Sequence, residues 1–287
     1  MQLVNEIAVG CELGEGVLWH PIEQCLWWTD IHGCTLYRFN PRQNKITRFS
    51  VPERLTAFGF TADPERLIVS FASGIASFWP ASAKRVSHAT PEQGRPGQRF
   101  NDGRVDPRGR FWAGTMNELQ PDTASSALYC WSTDCHRELS GLQISNGLCW
   151  SPDGATAYHA DSPTRCIMAY DFSPEGRFSD PRLLVQTPEG AYPDGACTDA
   201  HGNLWSAHWG AGQVVCYSPQ GDLLTCISVP TSQPTCVAFG GPDLRDLYVT
   251  SAWEGMSESQ RLTEPRAGNI FVYRGSAKGR ACDFYRL

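Results

Sequence analysis

Residues 106–115 read Asp106-Pro-Arg-Gly-Arg-Phe-Trp-Ala-Gly-Thr115, DPRGRFWAGT, a Pro/Gly turn running directly into a short aromatic strand. Proline presets φ for the turn, and the aromatic pair that follows suits a pleated, half-buried surface. One such unit says little, but it recurs. The same pattern appears as HPIEQCLWWTD (20–30), DPERLIVSF (63–71), SPDGATAYHAD (151–161), DAHGNLWSAH (199–208) and GPDLRDLYVTS (241–251). With Trp27, Ile68, Trp112, Tyr158, Trp205 and Tyr248 as strand centres, the spacings are 41, 44, 46, 47 and 43 residues. A period in the forties with several strands per unit marks a β-propeller.

Each copy has a strand before it, GEGVLWH in the first and SNGLCWSP in the fourth, and another after it, such as SALYCWS or QVVCYSP. The short remaining segment of each unit supplies an outer strand. The expected fold is all-β: a six-bladed β-propeller with four-stranded blades around a central channel, forming one domain over residues 1–287. The stretches PEQGRPGQ (91–98) and EGMSESQRLTEPRAG (254–268) read as long surface loops, candidates for a rim or lid over one channel end.

The formal net charge is -6, with both signs interspersed along the 287 residues. A nucleic-acid partner would need a basic stripe to replace phosphate counterions, and none is present. No apolar run approaches the ~18 residues of a membrane span, and the N-terminus has no basic-then-apolar leader pattern. The expectation is a cytoplasmic protein without a membrane partner. Twelve cysteines include no CxxC pair. Cys149, Cys197, Cys216, Cys226 and Cys236 fall inside apolar strand runs, so buried, reduced thiols are expected.

The turn of each repeat also registers the copies against one another. Six residues upstream of Pro21, Pro64, Pro107, Pro152, Ala200 and Pro242 stand Glu15, Phe58, Asn101, Asn146, Asp194 and Cys236. Equivalent positions of successive blades lie at one height around a propeller axis, so four carboxylate or carboxamide side chains converge on the channel mouth. Taken singly, Asn-Gly and Asp-Gly are common turn dipeptides. Taken together, the shared register describes a ring of oxygen donors of the kind hard divalent cations prefer. Arg99, two residues before Asn101, shares its face of the strand and could offer a planar fork to a substrate. Glu118, His208, Trp209 and Asp161 follow repeat strands and are further candidates for the same mouth.

At these residues the chain resembles the SMP-30/gluconolactonase/regucalcin-like family. The matching segments are LGEGVLWHP, RFNDGRVDPRGRFWAGTM, ISNGLCWSPDG and PDGACTDAHGNLW, in order, and the resemblance runs from about residue 10 to 275. It implies a six-bladed propeller and a single divalent ion, Ca, Zn, Mn, Mg or Fe, held by Glu15, Asn146 and Asp194. It implies also that Arg99 and Asn101 face the substrate, and that the reaction is hydrolysis of a sugar lactone to the sugar acid. Animal members look to carry two acids after the GTM segment, the second facing substrate; here Glu118 is followed by Leu119, which would leave a leucine at that position.

A divalent ion in such a ring would polarise a lactone carbonyl and make water more acidic. Asp194 is the candidate to guide or deprotonate the attacking water, while Arg99, Asn101, Glu118 and His208 are candidate substrate contacts. A covalent route is disfavoured, because there is no GxSxG elbow and no histidine in the ring register. An aldarolactonase, a calcium-dependent propeller phosphotriesterase or arylesterase, and a non-catalytic metal-binding propeller stand as alternatives to an aldonolactonase.

Overall fold

The structure, a computed structural model, describes residues 1–286. Six four-stranded antiparallel sheets follow one another around an axis. Blade 1 runs through Gly14–His20, Cys25–Asp30, Thr35–Asn40 and Lys45–Ser50 from the inside outward. Blades 2 to 5 repeat that order, beginning at the innermost strands Leu55–Phe60, Gln98–Val105, Ser145–Trp150 and Tyr192–Thr198. Blade 6 contributes Pro234–Gly240, Asp246–Ser251 and Ile270–Arg274 and has no fourth strand of its own. Its outer strand is the N-terminal Gln2–Ile7, antiparallel to Ile270–Arg274. Sequence periodicity assigned an outer strand to every repeat and so missed this closure, which ties the N-terminal strand into the last blade.

The repeated turn is built by its first residue. Asp106 accepts from the backbone N–H of Arg108 and Arg110 through Oδ1 (2.8 and 3.0 Å) and from Trp112 Nε1 through Oδ2 (2.9 Å). Asp199 does the same in blade 5, with His201, Asn203 and Trp205 as donors. The turn is thereby tied to the aromatic residue of the strand it feeds. Those aromatics fill the gaps between blades. Trp112 of blade 3 lies against Trp150, Phe172 and Phe178 of blade 4, with ring centroids 6.3, 5.8 and 5.1 Å away. Trp19 of blade 1 stacks on Tyr248 of blade 6 at 5.8 Å.

The two expected loops differ from expectation. The 91–98 segment is pinned by Glu92, buried under Tyr129, whose hydroxyl donates to it at 2.8 Å. Within 254–268 lies a short helix, Glu258–Thr263, with Ser257 and Gln260 forming a reciprocal capping box. All twelve cysteines are free thiols, and those named above are buried except Cys226, which sits on the solvent-facing outer strand Leu223–Ser228.

The far end of the channel is crossed by the C-terminal tail. Tyr285 N–H donates to the Phe60 carbonyl (2.8 Å) and Arg286 N–H to that of Gly109 (3.1 Å). The opposite end stays open.

Candidate functional site

At five blades the innermost strand loses its regular pairing beside the ring position. The irregularities lie between Glu15 and Leu18, Phe100 and Gly103, Asn146 and Cys149, Pro193 and Ala196, and Pro234 and Val237. A bulge of this kind re-aims a side chain out of the alternation of its strand. At Gly16 and Gly147 the backbone enters the left-handed region (φ 59° and 62°), which glycine adopts without a Cβ penalty. Glu-Gly and Asn-Gly are therefore bulges inside strands and not turns between them.

The bulges deliver the four polar ring residues to one pocket. Glu15, Asn101, Asn146 and Asp194 line an open cavity of about 670 Å³, together with Arg99 and Glu118. Phe58 and Cys236, from the same register, are buried away from it. The pocket also has an apolar wall of Leu13, Met116, Pro121, Ile144, Pro163, Tyr192 and Trp209, and two rim carboxylates, Asp122 and Glu254. Of these the sequence singles out Trp209, and it places Glu254 at the start of the 254–268 segment expected at the rim.

A hydrogen-bonded line crosses the pocket floor. Arg99 Nη1 donates to Asn101 Oδ1 (2.9 Å), and Asn101 Nδ2 donates to Asn146 Oδ1 (3.1 Å) and to the Ser145 carbonyl (3.1 Å). Arg99 Nε donates to Glu118 Oε1 (2.7 Å), and Arg54 grips both oxygens of Glu118 (2.6 and 2.9 Å). Burial would raise the Glu118 carboxyl, but the hydrogen bonds and charges of these two guanidinium groups outweigh it and hold the group down at about 2. Glu118 therefore faces the pocket as a fixed anion that orients Arg99. Leu119, expected at a substrate position, is exposed and lies outside the pocket lining.

The acidic ring residues shift the other way. Burial, then the neighbouring Asp102 carboxylate, pushes Glu15 up to about 8; the Arg104 and Arg99 charges offset this only in part. Asp194 is pushed well above the usual carboxylate range by burial, then by the charges of Glu15 and Asp102. Like charges collected in a desolvated channel are relieved by a cation, and two carboxylates with carboxamide oxygens form an oxygen-only donor set whose charge a hard divalent ion neutralises. The donor chemistry of Glu15, Asn146 and Asp194 thus fits the group that the sequence led us to expect. It does so with few acids: among the described residues no group of three or more His, Cys, Asp or Glu side chains is placed to hold a metal.

Two candidates lie elsewhere. His208 is fully buried, stacked near Tyr217, and does not line the pocket. It neighbours Trp209 on one strand, where successive side chains point to opposite faces. Asp161 accepts backbone N–H bonds from Gln143 and Ile144 and so shapes the connection into blade 4. Burial lowers both His208 and His159 to about 4. Between pH 6.5 and 4 the unfolded chain takes up protons at these two residues that the folded chain refuses, so they stabilise the fold fully above pH 6.5 and progressively less below it. Burial lowers His20 and His88 as well, whereas His32, raised by its bond to Glu254, and the raised carboxyls of Glu15 and Asp194 act in the opposite direction. Relative to the wild type, the double variant His159→Gln/His208→Gln is expected to gain urea midpoint as the pH falls from 7 to 5, because it no longer carries the two refused protons; a midpoint difference that does not change with pH would show that neither histidine is buried neutral.

Comparison with known proteins places the chain among them. Residues 13–253 match the family model described as the SMP-30/Gluconolactonase/LRE-like region. The chain belongs to this family. Among curated relatives of SMP-30/gluconolactonase type, it is 38% identical over 270 residues to the 6-deoxy-6-sulfogluconolactonase of Pseudomonas putida, covering 93% of this chain and 92% of the relative. It is 36% identical over 277 residues to the L-arabinolactonase of Azospirillum brasilense, covering 94% and 90%. Among solved structures, the calcium-binding protein regucalcin from Agrobacterium tumefaciens superposes with a TM-score of 0.94 at 28% identity, over 99% of this chain and 98% of that one.

Proposed function

We propose that this family member hydrolyses a sugar lactone to the open-chain sugar acid at the open end of the channel. The observation that carries the reading is the convergence of Glu15, Asn101, Asn146 and Asp194 with Arg99 on one pocket. Glu15, Asn146 and Asp194 would hold a divalent ion, which when bound would polarise the lactone carbonyl and make water more acidic.

The protein's own groups do the rest. Arg99 has Nε and Nη1 committed to Glu118, Asn101 and the Phe100 carbonyl, which leaves Nη2 to donate to a hydroxyl or carbonyl oxygen of the substrate. Asp194, a pocket carboxylate that would lie beside the ion, is the group suited to accept the proton of the attacking water at its Oδ atoms. The apolar wall excludes water from one side of the ring and offers Tyr192 and Trp209 to its C–H face. Substrate held in this way is presented to the water in a near-attack arrangement.

That wall also supports a second reading, an aryl ester or a lactone with an apolar substituent. One experiment tests both. A panel of aldonolactones, an aldarolactone and an aryl ester is followed by acid release, in chelator-treated protein and after addition of Ca²⁺, Mn²⁺, Zn²⁺ or Mg²⁺. The expected result is aldonolactone hydrolysis lost on chelation and restored by at least one ion. Undiminished turnover in metal-free protein would remove the ion from the reading, and turnover of the aryl ester alone would replace the substrate class.

A further inference from the structure

An amide ligand has a right end and a wrong end. Asn146 can serve a cation only through Oδ1, whereas its Nδ2 would present two protons to it. The side chain is nearly symmetric in shape, so its neighbours decide which end faces the axis. Asn146 Nδ2 donates to Ser162 Oγ at 2.8 Å. Ser162 Oγ in turn donates to the Pro193 carbonyl at 2.7 Å. A hydroxyl has one proton, and here it is directed at Pro193; what remains towards Asn146 is lone pairs, which accept from an amino group and repel a carbonyl oxygen. The other end of the amide accepts from Asn101, which is fixed by Arg99.

Ser162 is itself held. It opens the short 3-10 turn Ser162–Thr164, its backbone N–H donates to the Ile144 carbonyl (3.1 Å), and it is 8% exposed. Its acceptor, Pro193, immediately precedes Asp194, so one hydroxyl links the blade 4 amide to the blade 5 backbone beside the carboxylate. We propose that Ser162 is a positioning residue: it fixes the orientation of the Asn146 amide and so sets the affinity of the channel ring for a divalent cation. The inference rests on reading that ring as the cation site. Outer partners of this kind contribute about 10–100-fold in metal affinity.

The test is calorimetric titration of chelator-treated protein with Mn²⁺ and with Ca²⁺, alongside the melting temperature of the metal-free protein. Ser162→Ala is expected to weaken binding by about tenfold or more, and Ser162→Thr, which keeps the γ-hydroxyl, to retain most of the affinity. Asn146→Asp supplies the decisive control, because a carboxylate has oxygen at both ends and needs no orientation. In that background Ser162→Ala should weaken binding much less, giving a non-additive double-mutant cycle. Unchanged affinity in Ser162→Ala overturns the proposal. Equal losses in the Asn146 and Asp backgrounds overturn it in favour of simple packing. A wild-type protein that takes up neither ion overturns the ring reading and this inference with it.

Discussion

Asp194→Asn is expected to lower kcat for a sugar lactone by about 10²–10⁴-fold, the usual contribution of a positioned general base, without lowering the melting temperature of the metal-free protein. The second half follows from the electrostatics of the metal-free site. Asp194 is held above its ordinary pKa range by burial and by the Glu15 and Asp102 carboxylates, so folding places it where its charge is unwelcome. The substitution removes that repulsion while keeping the shape of the side chain, and the metal-free melting temperature should stay level or rise. Function and stability pull in opposite directions at such a residue. A near-normal kcat would reject Asp194 as the base and as an essential ligand. A clear fall in melting temperature would show that its role is to hold blade 5 together.

Asp194 could be found from sequence because a propeller converts chain period into position around an axis. Counting back from each turn placed Glu15, Asn101, Asn146 and Asp194 at one height, and the same count marked Phe58 and Cys236 as positions without an oxygen donor. The pocket lining follows that division. Residues outside the repeat had no such landmark. Asp122 and Glu254 lie on connecting segments whose paths depend on tertiary packing, and the Arg54–Glu118 pair spans 64 residues. The misplaced His208 is different, since strand alternation alone states that His208 and Trp209 cannot both face the mouth. The capping box at Ser257 and Gln260 is likewise legible, but the six-residue helix it starts buries no residue and so leaves no apolar periodicity in the sequence. The N-terminal outer strand was not legible by period, because it completes a repeat at the other end of the chain.

The turn that reveals the period also sets the second large effect, on stability. Asp106 is fully buried and receives four hydrogen bonds: from the backbone N–H of Arg108 and Arg110, from Arg110 Nε at 2.6 Å and from Trp112 Nε1 at 2.9 Å. Asp106→Ala leaves the largely buried Arg110 guanidinium without its carboxylate and the Trp112 N–H without an acceptor. Breaking a buried charge pair from one side costs about 3–5 kcal/mol. Asp199 makes the same backbone bonds and the same indole bond (3.1 Å), but its remaining partner is the neutral Asn203 Nδ2 at 2.9 Å. Asp199→Ala should therefore cost less, about 1–3 kcal/mol for unsatisfied neutral donors. Urea unfolding of the two variants reads the difference. Equal losses would locate the energy in the backbone and indole bonds that both turns share, and would leave the Arg110 pair without net weight. Losses below about 1 kcal/mol at both sites would mean that packing between blades, as at Trp112 against Trp150 and Phe172, holds these strands without help from the turn.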